Sequence, residues 1–164
     1  YDDVYKSTRT LIHLLVAVVA KGGNLALNVG PMPDGRLPRP AVERMREMGA
    51  WLRKCGAAIY ATRPAAPYRK GRWAFTRGKD GTRYAIRLWS QNSSATTLFI
   101  PRDKALAAFT SVRHLASGVT CPVRPIENPA LGEYGYAFEF PEGVERDAYA
   151  DVFVLADSRE GDRT

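Results

Sequence analysis

The side chains able to do chemistry in this sequence are few. Asn28 stands near the end of a short apolar run, where its amide could reach a sugar or a neighbouring carboxylate. A buried Asn can equally spend its amide on loop backbone. Asp34 is followed by Gly35 and reads as the first residue of a tight turn. Glu43 and Glu47 share one helix face at i, i+4 but are flanked by Arg44, Arg46 and Arg53, which suits a solvated charged face. His13 lies in an apolar helix and reads as a packing residue rather than a general base. His114 sits in a strand pattern with no partner apparent in the sequence. There is no G-x-S-x-G, no phosphate-binding glycine loop and no zinc spacing. Cys55 and Cys121 are far apart and form either one disulfide or two free buried thiols. This inventory contains no catalytic residue, no metal site and no cofactor motif.

The elements that must position these groups follow from periodicity. Ser7 can cap a helix, and Leu11, Ile12, Leu14, Leu15, Val16, Val18 and Val19 make that helix apolar on most sides. Lys21-Gly22 stops it. Asn24 to Val29 is too short for a helix and reads as a buried strand, with Asn24 structural at its start. A stiff loop with four prolines follows. Pro40 then opens a second helix with Val42, Met45, Gly49, Leu52 and Cys55 on one stripe, ended by Gly56. Helix, strand, helix is a piece of an α/β protein.

Composition shifts at Thr62-Arg63-Pro64-Ala65-Ala66-Pro67, where a domain boundary is expected. Strands are expected over Arg72–Thr76, Thr82–Ser90, Thr96–Ile100, Val112–Leu115, Tyr134–Phe140 and Asp151–Leu155, with a hairpin loop at Arg77–Gly81. Short strands divided by turns indicate an antiparallel sandwich. The expected division is 1–62, 63–157 and a tail at 158–164. Trp73, Tyr84 and Trp89 among Arg72, Arg83 and Arg87 admit two accounts: sandwich core with a soluble exterior, or a face that stacks sugar rings or nucleobases and holds anions. The formal charge of +7 comes largely from scattered arginine and does not by itself indicate nucleic acid. Leu11 to Ala20 is apolar over only about ten residues, against the roughly 20 of a membrane span. No signal peptide is visible, and the start without methionine suggests a fragment.

Residues 1–62 resemble the end of the catalytic domain of the family 29 glycoside hydrolases, the α-L-fucosidases. The resemblance rests on Asp3-Val4-Tyr5-Lys6-Ser7, Leu11-Ile12-His13-Leu14-Leu15, Lys21-Gly22-Gly23-Asn24-Leu25, Leu27-Asn28-Val29-Gly30-Pro31, Asp34-Gly35, Trp51-Leu52, Gly56 and Ala58-Ile59-Tyr60-Ala61-Thr62. Residues 63–157 resemble the C-terminal β-sandwich of these enzymes in layout, and in Tyr84-Ala85-Ile86 and Ile100-Pro101. Departures are Ala26 where a second Leu is usual, Ala17 where an acid is usual, and Cys55-Gly56-Ala57 where Asn-Gly-Glu is common.

The resemblance implies the last βα part of a (β/α)₈ barrel followed by an antiparallel β-sandwich. It implies retaining hydrolysis of terminal α-L-fucose from a fucosylated glycan, without metal or other cofactor, in a family whose members are often secreted, periplasmic or lysosomal. Both catalytic carboxylates and the histidines that hold the sugar lie upstream in this family. No catalytic residue is therefore expected here, and Asn28 is the one candidate for substrate contact. The implied partners are the glycan and the upstream barrel, with no nucleic acid and no membrane. One βα unit cannot bury both faces of its strand. A peptide of residues 1–62 should therefore show no cooperative unfolding in urea, and a sigmoidal transition would overturn this.

Overall fold

The computed structural model describes residues 4–156 other than 129 and 131. Two helices come first, α1 (Thr8–Ala20) and α2 (Arg39–Cys55), the second running into a short 3-10 turn at Gly56–Ala58. Nine strands follow among the described residues: β1 (Arg63–Lys70), β2 (Trp73–Arg77), β3 (Arg83–Leu88), β4 (Thr97–Pro101), β5 (Ser111–His114), β6 (Thr120–Pro122), β7 (Arg124–Asn128), β8 (Glu133–Glu139) and β9 (Ala150–Ala156). The expected tail at 158–164 lies outside the described residues.

Local chemistry sets the ends of α1. Ser7 Oγ accepts from the Thr10 backbone N–H at 3.2 Å. At the other end Gly22 N–H donates to the Val19 carbonyl and Gly23 N–H to the Val18 carbonyl, a Schellman closure. Gly22 has φ +86°, and a Cβ there would stand 2.8 Å from Pro64 Cγ. Backbone sign and close packing both demand glycine at this position. The helix is less enclosed than its sequence suggests: Leu11, Ile12, Val16 and Ala20 are buried while Leu14 is 40% exposed.

The buried stripe of α2 also differs from the expected one. Ala41, Met48, Trp51 and Cys55 face inward, and Met45 is exposed. The largest ring decides the rotation. Trp51 is buried and its indole N–H donates to the Ala150 carbonyl at 2.8 Å, so the helix turns to seat it.

The strands form two antiparallel sheets, one of six strands ordered β1-β2-β3-β9-β5-β6 and one of three ordered β4-β8-β7. The expected sandwich is present. Each of the six expected strands has a counterpart within a residue or two. Three strands were not expected: β1, β6 and β7. Each contains proline and each lies at a sheet edge. Edge positions tolerate a residue without an N–H, so the proline-containing stretch expected as a domain boundary forms strand in β1. In β1 the pairing with β2 slips between Pro64 and Arg69.

The six-stranded sheet is the middle of three layers. Tyr84, Ile86 and Leu88 of β3, with Ala150 and Val152 of β9, share a buried cluster with Leu11, Ile12, Val16, Met48 and Trp51 of the helices. The opposite face puts Trp73, Phe75, Ala85 and Phe153 against Leu98, Ile100 and Phe138 of the smaller sheet.

The expected strand at Asn24 to Val29 is not formed. These residues belong to no helix or strand, and Asn24, Ala26, Leu27 and Asn28 are exposed. A strand exists only by pairing, and no described segment runs beside this one. The barrel half of the expected fold therefore has helices but no sheet among the described residues.

Both cysteines are free and buried, on opposite sides of the middle sheet. Burial, then the nearby Asp147 and Asp151, push the Cys55 thiol up to about 12, and burial raises Cys121 as well. The thiolate is the reactive form. At pH 8 the folded protein should not react with a disulfide reagent, and both thiols should titrate in guanidinium. Fast reaction of the native protein would contradict this packing.

Candidate functional site

Asn28 lines a cavity of about 290 Å³ between the lead-in to α1, the 24–30 segment and the start of α2. Tyr5, Lys6, Leu27, Arg44 and Met45 contribute to its wall. The Asn28 Oδ1 accepts from the Val29 backbone N–H at 3.0 Å, which fixes the amide and turns its NH₂ away from that bond. The amide is exposed and can offer two donors to a ligand. Among the described residues no carboxylate lines this cavity.

The other acidic candidates are accounted for by local structure. Asp34 accepts from the Arg36 backbone N–H at 3.0 Å and from Arg36 Nε at 2.7 Å. The Arg36 guanidinium beside it holds its carboxyl below the usual range. Glu43 pairs with Arg39 at 2.7 Å along α2. Glu47 is not simply solvated. Its Oε2 accepts from the Thr8 hydroxyl, and from the Tyr149 hydroxyl at 3.1 Å, joining α1, α2 and the loop before β9.

Both histidines have partners. His13 Nε2 lies 3.0 Å from the Tyr149 carbonyl, which can only accept, so that nitrogen carries the proton. Burial lowers its pKa against the raising effect of that bond. His114 Nε2 donates to Asp151 Oδ1 at 3.0 Å, and its Nδ1 meets Ser117 Oγ at 2.8 Å. The same Asp151 accepts from the Trp89 indole N–H at 2.7 Å and from the Asp147 backbone N–H. These groups are 37 and 62 residues apart in sequence, beyond the reach of any spacing argument.

The Ser117–His114–Asp151 chain resembles a nucleophile relay only in composition. His114 is 2% exposed, and Ser117 Oγ also accepts from the Val119 backbone N–H. The nearby Gly118 N–H is spent on the His114 carbonyl, so it offers no oxyanion donor.

The aromatic sugar-stacking face is not present. Trp73 and Trp89 are 1% and 2% exposed and Tyr84 is buried. Arg87 lies over both indoles at 5.4 and 5.3 Å, and Arg146 over Trp89 at 4.2 Å. Rings covered by the protein's own guanidinium groups cannot stack a ligand. Among the described residues no group of three or more His, Cys, Asp or Glu could hold a metal ion. No described helix is long and apolar enough to cross a membrane.

The family described as Alpha-L-fucosidase matches residues 1–57. Plasma α-L-fucosidase of Homo sapiens is 32% identical over 143 residues, which take in 84% of this chain and 29% of the relative. The chain belongs to the α-L-fucosidase family. An α-L-fucosidase of Branchiostoma floridae is 38% identical over 108 residues, 65% of this chain and 24% of its own length. The solved structure of Thermotoga maritima α-fucosidase in complex with fucose superposes with a TM-score of 0.73 at 30% identity, covering 92% of this chain and 35% of that one. The chain spans about a quarter to a third of these fucosidases.

The Asp151 carboxylate is the polar centre of this chain. Asp151→Asn presents an NH₂ to donors that need an acceptor, whichever way it is turned. It should lower unfolding stability by about 3 kcal/mol, read from urea melts monitored by tryptophan fluorescence. A change within measurement error would show that the network is dispensable.

Proposed function

We propose that this chain is the C-terminal part of a retaining α-L-fucosidase that removes terminal α-L-fucose from glycans, and that it is silent by itself. Retaining hydrolysis needs two carboxyl groups roughly 5 Å apart, one attacking the anomeric carbon and one protonating the leaving oxygen. The observation that carries the proposal is the family match over 1–57 together with the short span of the relatives covered. The carboxylates of Asp34, Glu43 and Glu47 support it too, because they are held in a turn, a helix pair and a bridge between elements.

In this reading the division is a barrel end over 1–62 and a β-sandwich over 63–157. Asn24 to Val29 is the closing strand of the barrel, and its unpaired backbone awaits neighbours from the upstream part. Exposed Leu14, Leu27 and Met45 suit the same packing. Asn28, near the strand's C-terminal end, lies on the side where barrel active sites are built. Its amide would touch the sugar or orient a group that does.

A supporting role for the sandwich is favoured by one specific observation: helices and middle sheet share a single buried cluster. The sandwich then holds α1 and α2 in place for the barrel.

The test is mass and activity together. The 164-residue chain should release no phenol from a chromogenic aryl α-L-fucoside. The natural gene product should be several times longer and active, and Asn28→Ala in it should lower kcat/KM by about tenfold, a loss worth one hydrogen bond to a charged or transition-state group. Hydrolysis by the 164-residue chain, or an inactive gene product of this length, would overturn the reading.

A further inference from the structure

A second hollow, of about 550 Å³, lies where four separate segments converge. The start of α1 brings Thr8 and Arg9, and the middle of α2 brings Arg44 and Glu47. The loop after β3 brings Gln91 and the loop before β9 brings Tyr149. Each lining side chain carries a hydrogen-bonding group. Its volume is that of an ordinary small-molecule site.

The groups are held, yet each keeps capacity. Glu47 Oε2 is fixed by the Thr8 and Tyr149 hydroxyls, while its Oε1 has no donor among the described residues. Arg9 Nη1 donates to the Trp89 carbonyl at 3.0 Å, and its guanidinium lies 5.9 Å from the Tyr149 ring centre. Arg44 Nε makes a long bond of 3.4 Å to the Lys6 carbonyl. The Gln91 amide has no partner among the described residues. Thr8, Arg9, Arg44, Glu47 and Tyr149 are each held by at least one bond, which reduces the ordering cost of binding.

The mixture of charges selects the ligand. An oxyanion only accepts, and Glu47 would repel it. A cation would meet Arg9 and Arg44. A hydroxyl donates and accepts at once, so neighbouring hydroxyls can serve the carboxylate and a guanidinium together. We propose that this hollow binds a neutral saccharide. Arg44 lines both this hollow and the Asn28 cavity, so a glycan chain could pass from one to the other. The proposal goes beyond the fucosidase reading and depends on it only for the choice of sugars in the test.

The test is an amide chemical-shift titration of the 164-residue chain with methyl α-L-fucoside, methyl β-galactoside and methyl N-acetyl-β-glucosaminide, and with sodium sulfate. At least one sugar should give saturable shifts at Thr8, Arg9, Gln91 and Tyr149, little changed by added salt. Gln91→Ala and Arg44→Ala should each weaken binding about fivefold, the loss of one neutral-ligand hydrogen bond, with spectra otherwise unchanged. Absence of saturable shifts with all three sugars, shifts indifferent to both substitutions, or saturation by sulfate that salt abolishes, would each overturn the proposal. The fucosidase reading is judged separately, by hydrolysis with the whole gene product. A silent hollow therefore leaves that reading standing, and an inactive gene product leaves the titration's meaning intact.

Discussion

The six-stranded sheet has no wet face over its central strands, and the rest of the structure follows from that. β3 and β9 pair with each other, and residues of both point alternately into two separate clusters. A strand buried on both sides needs a layer on each side. On one side the smaller sheet supplies it, with Phe138 edge-on to Phe153 at 5.0 Å. On the other the helices do. Trp51 fills the space and also binds the Ala150 carbonyl, so burial and hydrogen bonding act at one point. Removing the helices would expose Ile86, Leu88 and Val152 together, a loss on the order of 2 kcal/mol for each large side chain.

Among the described residues the buried polar side chains of this core find partners, apart from the Nε atoms of Arg87 and Arg146. The Asp151 carboxylate stands within β9 and collects donors from an imidazole, an indole and the backbone. Around it the guanidinium groups of Arg87 and Arg146 lie over Trp89. Their buried Nε atoms have no acceptor among the described residues, so ring faces stand in for one. Aromatic and basic residues mixed along β2 and β3 thus serve internal packing, although the same composition on an open surface would bind glycans or nucleic acid.

The sequence was legible where one element decides its own form. α1 is written in Ser7, an apolar face and Lys21-Gly22, and the β2–β3 hairpin in Gly78 and Gly81 around Asp80. The prolines of β1 misled because a domain boundary and a sheet edge share a composition, and no strand is read from the short, proline-containing β6 and β7. The α2 stripe misled because counting apolar residues weighs Val42 and Met45 like Trp51, whereas packing does not. Asn28 could be singled out by type and position, but the pairing of His114 with Asp151 and of Glu47 with Tyr149 is set by tertiary contact alone. The strand pattern at Asn24 to Val29 was a statement about neighbours, and a sequence segment carries no information on whether they are present.

That segment has a colloidal consequence. Asn24 to Val29 offers amides and carbonyls with no ladder to occupy them, beside exposed Leu27 and Met45. Two molecules can satisfy each other there by lying edge to edge, and natural edges avoid this with charge or cover. Along the sequence the nearest formal charges are Lys21 and Asp34, and across the cavity Lys6 and Arg44 face Leu27 and Asn28. In the isolated chain Lys6 and Arg44 are then the charges that oppose pairing of this six-residue stretch with a second copy.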